Sequence, residues 1–115
     1  MSLHLFAGLR VRDFQAARAW YERLLGEPSF FPNATEAVWT VADDRSVFIK
    51  EHADGAGKSE LTIFVDDLDA HVAGIAARGL EPDERLPSSN GVRKTLYRDP
   101  DGNELGFGGA PLASS

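Results

Sequence analysis

The chain has 115 residues, 43% of them hydrophobic and 26% charged, which is ordinary for one globular domain. Twelve basic against eighteen acidic residues give a formal net charge of −6, so we expect neither a nucleic-acid partner nor a membrane partner. The absence of cysteine excludes thiolate metal sites, a cysteine nucleophile and disulfides. No apolar run approaches the roughly 20 residues of a membrane span, and no signal-like segment opens the chain. We therefore expect a cytoplasmic protein.

The first half of the chain predicts a strand, a helix and three short strands. Alternating apolar residues or a helical apolar period predict these elements at 4–11, 13–25, 28–32, 36–42 and 46–52. Asp13 is a typical N-cap of the helix, and Gly26 is a typical left-handed stop. A turn at Asp43 and Asp44 separates the last two strands.

The second half repeats this order at an offset of about 54 to 57 residues, which indicates a duplicated module. Its predicted elements lie at 59–65, 67–78, 81–86, 92–98 and 103–108. Asp67 caps the helix and Gly79 ends it. We expect a single domain over 1–115, with modules at about 4–52 and 59–108 and a frayed tail over 108–115.

Strand alternation separates a helix-facing side from an opposite face in each module. In the first strand Leu5, Ala7, Leu9 and Val11 are predicted to pack under the helix. The opposite faces then mix aromatic, glycine and charged residues, a composition typical of a ligand cleft. The residues expected there include Phe6, Arg10, Glu51, Glu60, Phe64 and Glu104.

Three segments carry a family resemblance. They are 97–105 (Tyr-Arg-Asp-Pro-Asp-Gly-Asn-Glu-Leu), 9–14 (Leu-Arg-Val-Arg-Asp-Phe) ahead of Ala19-Trp20-Tyr21, and 64–69 (Phe-Val-Asp-Asp-Leu-Asp). Together with the duplication, they resemble motifs of the vicinal-oxygen-chelate superfamily: glyoxalase I, bleomycin-resistance proteins, fosfomycin-resistance proteins and extradiol dioxygenases. The resemblance implies an α+β fold of two tandem βαβββ modules, whose strands form a curved mixed sheet around one open cleft. The turn 99–103 is expected to be structural.

The resemblance also bears on metal binding. Catalytic members of the superfamily bind a divalent metal through His or Glu side chains in the cleft. At the three usual ligand positions this chain has Phe6, Glu60 and Gly106, of which only Glu60 keeps a ligand atom. The resemblance therefore implies that the inherited metal centre is lost, so no metal and no cofactor is expected. A substitute cluster of His4, Glu51 and Glu60 is the alternative.

The pattern is most similar to the bleomycin-resistance branch, whose members bind drug without metal and without chemistry. It implies a metal-free small-molecule binding protein for a cationic or aromatic ligand, with a role in antibiotic resistance. We expect ligand contacts from Phe6, Arg10, Trp39, Glu51, Glu60, Phe64, Arg93 and Glu104. In this set the aromatic rings form walls and the carboxylates match a cation. Trp39 is equally consistent with the core, and Arg10 suits an anionic group or an ion pair with Glu60 or Glu104.

Two alternatives to a binding protein stay open. One is an enzyme of the superfamily (a lyase, isomerase or dioxygenase) with a relocated divalent metal, although no catalytic residue is assigned. The other is an interaction subunit with a vestigial cleft. The resemblance also implies a homodimer, with Trp20, Tyr21, Phe30 and Phe31 as candidate interface residues.

Overall fold

The structure is a computed structural model that describes residues 3–86 and 91–109. The first module contains β1 (Leu5–Val11), α1 (Phe14–Leu25), β2 (Phe30–Asn33), β3 (Glu36–Ala42) and β4 (Arg45–Glu51). A 3₁₀ turn at Ala53–Gly55 leads to the second module, which contains β5 (Glu60–Phe64), α2 (Leu68–Ala77), β6 (Glu84–Leu86), β7 (Arg93–Arg98) and β8 (Glu104–Gly109). The predicted elements are therefore confirmed in type and order.

Most predicted boundaries lie within two residues of the observed ones, and two expectations differ for a structural reason. The strand expected from residue 81 begins only at Glu84, where its backbone starts to pair with β7. Gly108 and Gly109 were expected to fray, but both belong to β8 and pair with Lys94 and Arg93. The rest of the predicted tail, 110–115, lies outside the described residues.

Each module forms its own four-stranded mixed sheet, with strand orders β1-β4-β3-β2 and β5-β8-β7-β6. The first strand of each module runs parallel to the last, and the other pairs are antiparallel. A parallel pair needs a crossover connection, which α1 and α2 provide in part. The predicted α+β fold of two tandem βαβββ modules is confirmed.

Both helices begin and end as their residue types predict. The Oδ1 atom of Asp13 accepts a hydrogen bond from the Ala16 N–H at 3.2 Å, and that of Asp67 accepts one from the Ala70 N–H at 3.0 Å. Gly26 follows α1 with a φ of 88°, a backbone angle that favours glycine. No helix among the described residues is long and apolar enough to cross a bilayer.

One hydrophobic core joins the two modules, because both sheets turn their helix-facing sides towards it. Its buried members are Leu9, Val11, Phe14, Ala17, Trp20, Tyr21, Leu24, Ala37, Trp39, Val47, Ile49, Leu68, Ile75, Tyr97, Leu105 and Phe107. Trp20 and Tyr21 are therefore core residues and not the interface residues that were considered, whereas Phe30 and Phe31 are about half exposed.

The turn between β7 and β8 connects module 2 to module 1 through buried hydrogen bonds. Asp99 Oδ2 accepts from the Tyr21 hydroxyl at 2.7 Å and from Asn103 Nδ2 at 2.8 Å. Asn103 Nδ2 also donates to the Arg10 carbonyl at 2.8 Å, and its Oδ1 accepts from the Ser59 N–H at 3.0 Å. Burial, and next the neighbouring Asp99 charge, raise the pKa of Tyr21. The turn is structural, as predicted.

Candidate ligand-binding site

Each sheet has a side that is turned away from the helices, which we call the open face of its module. Strand register places residues on the open face of module 1 from β1, β3 and β4: Phe6, Gly8, Arg10, Glu36, Val38, Thr40, Ser46, Phe48 and Lys50. The open face of module 2 contains Glu60, Thr62, Phe64, Glu84, Leu86, Lys94, Leu96, Arg98, Glu104, Gly106 and Gly108.

The aromatic part of module 1's open face is built from two phenylalanines. Phe6 is 49% exposed, and its ring stacks on His4 with centroids 4.4 Å apart. The Cζ end of the Phe48 ring lies over Gly8 of the neighbouring strand, where any Cβ would overlap it. A shallow groove of about 380 Å³ runs beside these rings and reaches Arg10 and Lys50.

A second groove continues from Arg10 towards the connection between the modules. It has a volume of about 470 Å³ and is lined by Gly8, Arg10, His52, Asp54, Gly55, Lys58 and Ser59. The side chain of Arg10 passes over Gly55, where a Cβ would lie 2.7 Å from Arg10 Cδ. Arg10 therefore lies between the two grooves.

The open face of module 2 combines an exposed ring with carboxylates. Phe64 is 66% exposed, and its ring packs over Gly108 of the adjacent strand. Glu60 lies directly opposite Glu104 in the strand register. Arg98 donates to Glu104 at 3.1 Å and to Glu84 at 2.9 Å, so Glu104 is already paired with a cation.

The positions at which the family resemblance implies metal ligands do not fit a metal here. Phe6 and Gly106 have no donor atom. The Lys94 side chain crosses above Gly106, where a Cβ would lie 2.6 Å from Lys94 Cε. A lysine ammonium near that position would repel a divalent cation. Over residues 3–86 and 91–109, no group of three His, Asp or Glu side chains is arranged to hold a metal ion.

The alternative cluster of His4, Glu51 and Glu60 is not assembled within the chain. His4 bonds to Ser46 Oγ at 2.8 Å on the open face of module 1. Glu51 lies on the helix-facing side, where its Oε1 accepts from the Phe14 N–H at 3.0 Å at the start of α1. Glu60 belongs to the open face of module 2.

Three predicted ligand contacts lie on helix-facing sides and not on the open faces. For Trp39 this agrees with the core alternative, whereas Glu51 was expected on the opposite side. Trp39 is 2% exposed, and its Nε1 donates to the Gly26 carbonyl at 2.7 Å. Arg93 makes two hydrogen bonds to Asp69 of α2, at 2.9 and 3.1 Å, which lower the pKa of Asp69. Glu51 is the third. The other five predicted residues, Phe6, Arg10, Glu60, Phe64 and Glu104, lie on the open faces.

Sequence reasoning missed several residues beside the predicted ones. Phe48 and Lys50 are cross-strand partners of Gly8 and Arg10, and Lys94 crosses Gly106 from β7. The sequence indicates which face Phe48 and Lys50 occupy, since they alternate with the apolar Val47 and Ile49. It does not indicate that their strand pairs with β1, because β1 and β4 are far apart in the chain.

The comparisons with known proteins agree with this architecture. The model of the Glyoxalase/Bleomycin resistance protein/Dioxygenase superfamily matches residues 2–107. The search of curated proteins returned no match. Among solved structures, a glyoxalase / bleomycin resistance protein from Catenulispora acidiphila DSM 44928 is 50% identical, with a TM-score of 0.91, over 96% of this chain and 100% of that chain.

Two more distant structures share the fold. A bleomycin-binding protein complexed with bleomycin is 20% identical with a TM-score of 0.75, over 96% of this chain and 100% of that chain. A lactoylglutathione lyase from Agrobacterium tumefaciens is also 20% identical, with a TM-score of 0.73, over 95% of this chain and 94% of that chain. The same fold thus serves a binding protein and a lyase, so residues must decide the function.

Proposed function

The chain belongs to the glyoxalase/bleomycin resistance protein/dioxygenase superfamily, and from that premise we propose that it captures a small aromatic molecule without metal and without chemistry. The observation that carries this proposal is the composition of the open faces. Gly106 lies beneath Lys94 where the family resemblance implies a metal ligand, while Phe6 and Phe64 expose their rings. Sequestration of a toxic compound such as an antibiotic, in the cytoplasm, is the role we propose.

The exposed rings favour an aromatic ligand. Phe6 and Phe64 are 49% and 66% exposed, and covering a phenylalanine side chain fully stabilises by roughly 1.5–3 kcal/mol. Glu60 has no hydrogen bond or ion pair within the described residues, so its carboxylate is available to a cationic group of the ligand. A cation above an aromatic face adds about 0.5–2 kcal/mol.

We further propose a homodimer that covers part of both open faces. Exposed apolar side chains on the open faces support it: Phe6, Phe30, Phe64 and Leu86. The open face of module 1 has two basic side chains and one acidic one, and that of module 2 has two basic and three acidic ones. This charge difference favours contact between unlike modules of two copies. Sedimentation equilibrium tests the homodimer, and a monomeric mass at all protein concentrations would contradict it.

Ligand capture is tested by protein-observed NMR on chelator-treated protein, with small aromatic compounds of positive, neutral and negative charge. We expect the hits to shift amides of the open-face strands. Phe64→Ala or Phe6→Ala should weaken at least one hit by about tenfold, as expected for losing a buried ring. Phe31→Ala is the matched control, since Arg18 lies over its ring at 4.5 Å near α1. Unchanged affinities in both open-face variants would contradict the proposal.

Metal independence is tested by calorimetric titration of the stripped protein with Mn, Fe, Co, Ni and Zn. We expect no stoichiometric binding, because the family's ligand positions hold Phe6 and Gly106. Tight one-to-one binding that is lost in Glu60→Ala would contradict the proposal, and would favour an enzyme with a relocated metal.

A further inference from the structure

The open face of module 1 holds two cations side by side. Arg10 of β1 lies directly opposite Lys50 of β4 in the strand register. Like charges at directly opposed positions destabilise a sheet. Glu36 lies on the other side of Lys50, but one of its carboxylate oxygens accepts a hydrogen bond from Asn33 Nδ2. Within residues 3–86 and 91–109, no hydrogen bond or ion pair engages the Arg10 guanidinium or the Lys50 ammonium.

The groove beyond Arg10 adds further donors. Lys58 lines it, and its ammonium likewise has no partner within the described residues. His52 Nδ1 accepts a hydrogen bond from the Gly55 N–H at 3.1 Å. In the neutral ring this places the proton on Nε2, which is then a donor. Asp54 is the one carboxylate among the residues that line this groove, so basic groups outnumber acidic ones.

From this arrangement we propose that the two adjoining grooves of module 1 bind an anionic group, a carboxylate or phosphate, at Arg10, which both grooves share. Lys50 lines the groove on one side of Arg10, and Lys58 and His52 line the groove on the other. The inference rests on the proposed function, because it assigns the aromatic part of the same ligand to Phe6 and Phe48. It differs from the sequence-based expectation of a cationic or aromatic ligand, which considered the carboxylates of Glu51, Glu60 and Glu104 and the net charge of the chain. It develops instead the anionic group that was one of the two expectations for Arg10.

The spacing on the strand fits an aromatic acid. The Phe48 ring lies over Gly8, and Arg10 follows two residues later on the same face of β1. Two residues along a strand span roughly 6–7 Å. This is about the distance from the centre of a ligand's aromatic ring to a protein donor that hydrogen-bonds the phosphate or carboxylate on that ring. A planar guanidinium can bind both oxygens of such a group at once.

The test uses four probes with the full chain at low salt: phenyl phosphate, benzoate, inorganic phosphate and phenyltrimethylammonium. We expect phenyl phosphate or benzoate to shift the amides of Gly8, Gly55 and Ser59. The aromatic anion should bind about tenfold more tightly than inorganic phosphate. Arg10→Gln should weaken it by about tenfold, and added salt should weaken it as well. Arg12→Gln is the matched control, with the same charge change outside both grooves.

The probes separate the outcomes. If phenyltrimethylammonium binds this face and neither aromatic anion does, the inference is wrong while ligand capture stands. If no aromatic probe binds anywhere, both proposals are wrong. If wild type, Arg10→Gln and Lys58→Met bind the aromatic anion with equal affinity, the inference is also wrong. Lys58→Met serves as the test variant if Arg10→Gln lowers the midpoint of thermal unfolding.

Discussion

The two modules share a scaffold and differ in the faces they present to solvent. Asp13 and Asp67 cap α1 and α2 through the same hydrogen bond, and each module pairs its first strand with its last. On the open faces, however, Phe6 and Arg10 occupy the places of Glu60 and Phe64. Aromatic and basic groups on module 1 thus correspond to acidic and aromatic groups on module 2. Caps and register preserve the fold, so the open faces are free to diverge.

The turns between the last two strands differ as well. In module 1 the turn consists of Asp43 and Asp44, with Asp44 at a φ of 59° and both side chains exposed. In module 2 the longer turn buries Asp99 and Asn103 against Tyr21 of module 1. The turn of module 2 therefore adds buried hydrogen bonds to the core that the two modules share, whereas the turn of module 1 is exposed.

The largest predicted effect comes from the turn of module 2. Asn103→Ala leaves the Arg10 carbonyl, the Ser59 N–H and part of the Asp99 carboxylate without partners in a buried place. We expect a loss of about 3 kcal/mol in the free energy of unfolding. The matched change Asp44→Ala should lower the free energy of unfolding by about 1 kcal/mol, because alanine adopts a left-handed backbone angle less readily than aspartate. Urea unfolding of both variants checks this, and equal losses would contradict the asymmetry.

The helix caps give a smaller, graded effect. Asp67→Ala removes the side-chain acceptor that caps α2 and should cost about 1 kcal/mol. Asp13→Ala should cost about half as much, because Glu51 keeps a second carboxylate at the start of α1. It accepts from the Phe14 N–H, whereas Asp13 accepts from the Ala16 N–H. The double variant with Glu51→Gln serves as control and should increase the loss. Equal losses at Asp13 and Asp67 would show that Glu51 does not share in capping α1.

The smallest effect is a pH dependence found in module 2. Burial, and next the Arg78 charge, lower the pKa of His71, whose ring packs on Phe107; module 1 has Ala17 at the matching place. His71 therefore binds a proton more readily in the unfolded chain, where its pKa is about 6.5, than in the folded chain. As pH falls from about 6.5 to the lowered pKa of the folded chain, the free energy of unfolding decreases. His71→Phe should lose less stability than wild type between about pH 7 and 5.5. Parallel pH curves would contradict this.

Local sequence signals predicted the scaffold well and the site only in part. Capping aspartates, glycine stops and strand alternation are local, and they located both helices and the five open-face residues such as Phe6 and Glu60. The burial of Trp39 agrees with its core alternative. Glu51 was expected on the wrong side of its strand, because Val47 and Ile49, which share its side, face the core. The pairing of Arg10 with Lys50, and Lys94 above Gly106, depend on long-range register, which no local pattern encodes.

Capture of an aromatic ligand without metal is the central claim, and one binding measurement tests it directly. An aromatic compound that shifts the open-face amides is titrated into chelator-treated protein, first alone and then with a divalent cation added. We predict affinities that agree to within about twofold, a difference of less than half a kcal/mol. Binding that appears only after the cation is added would contradict the claim.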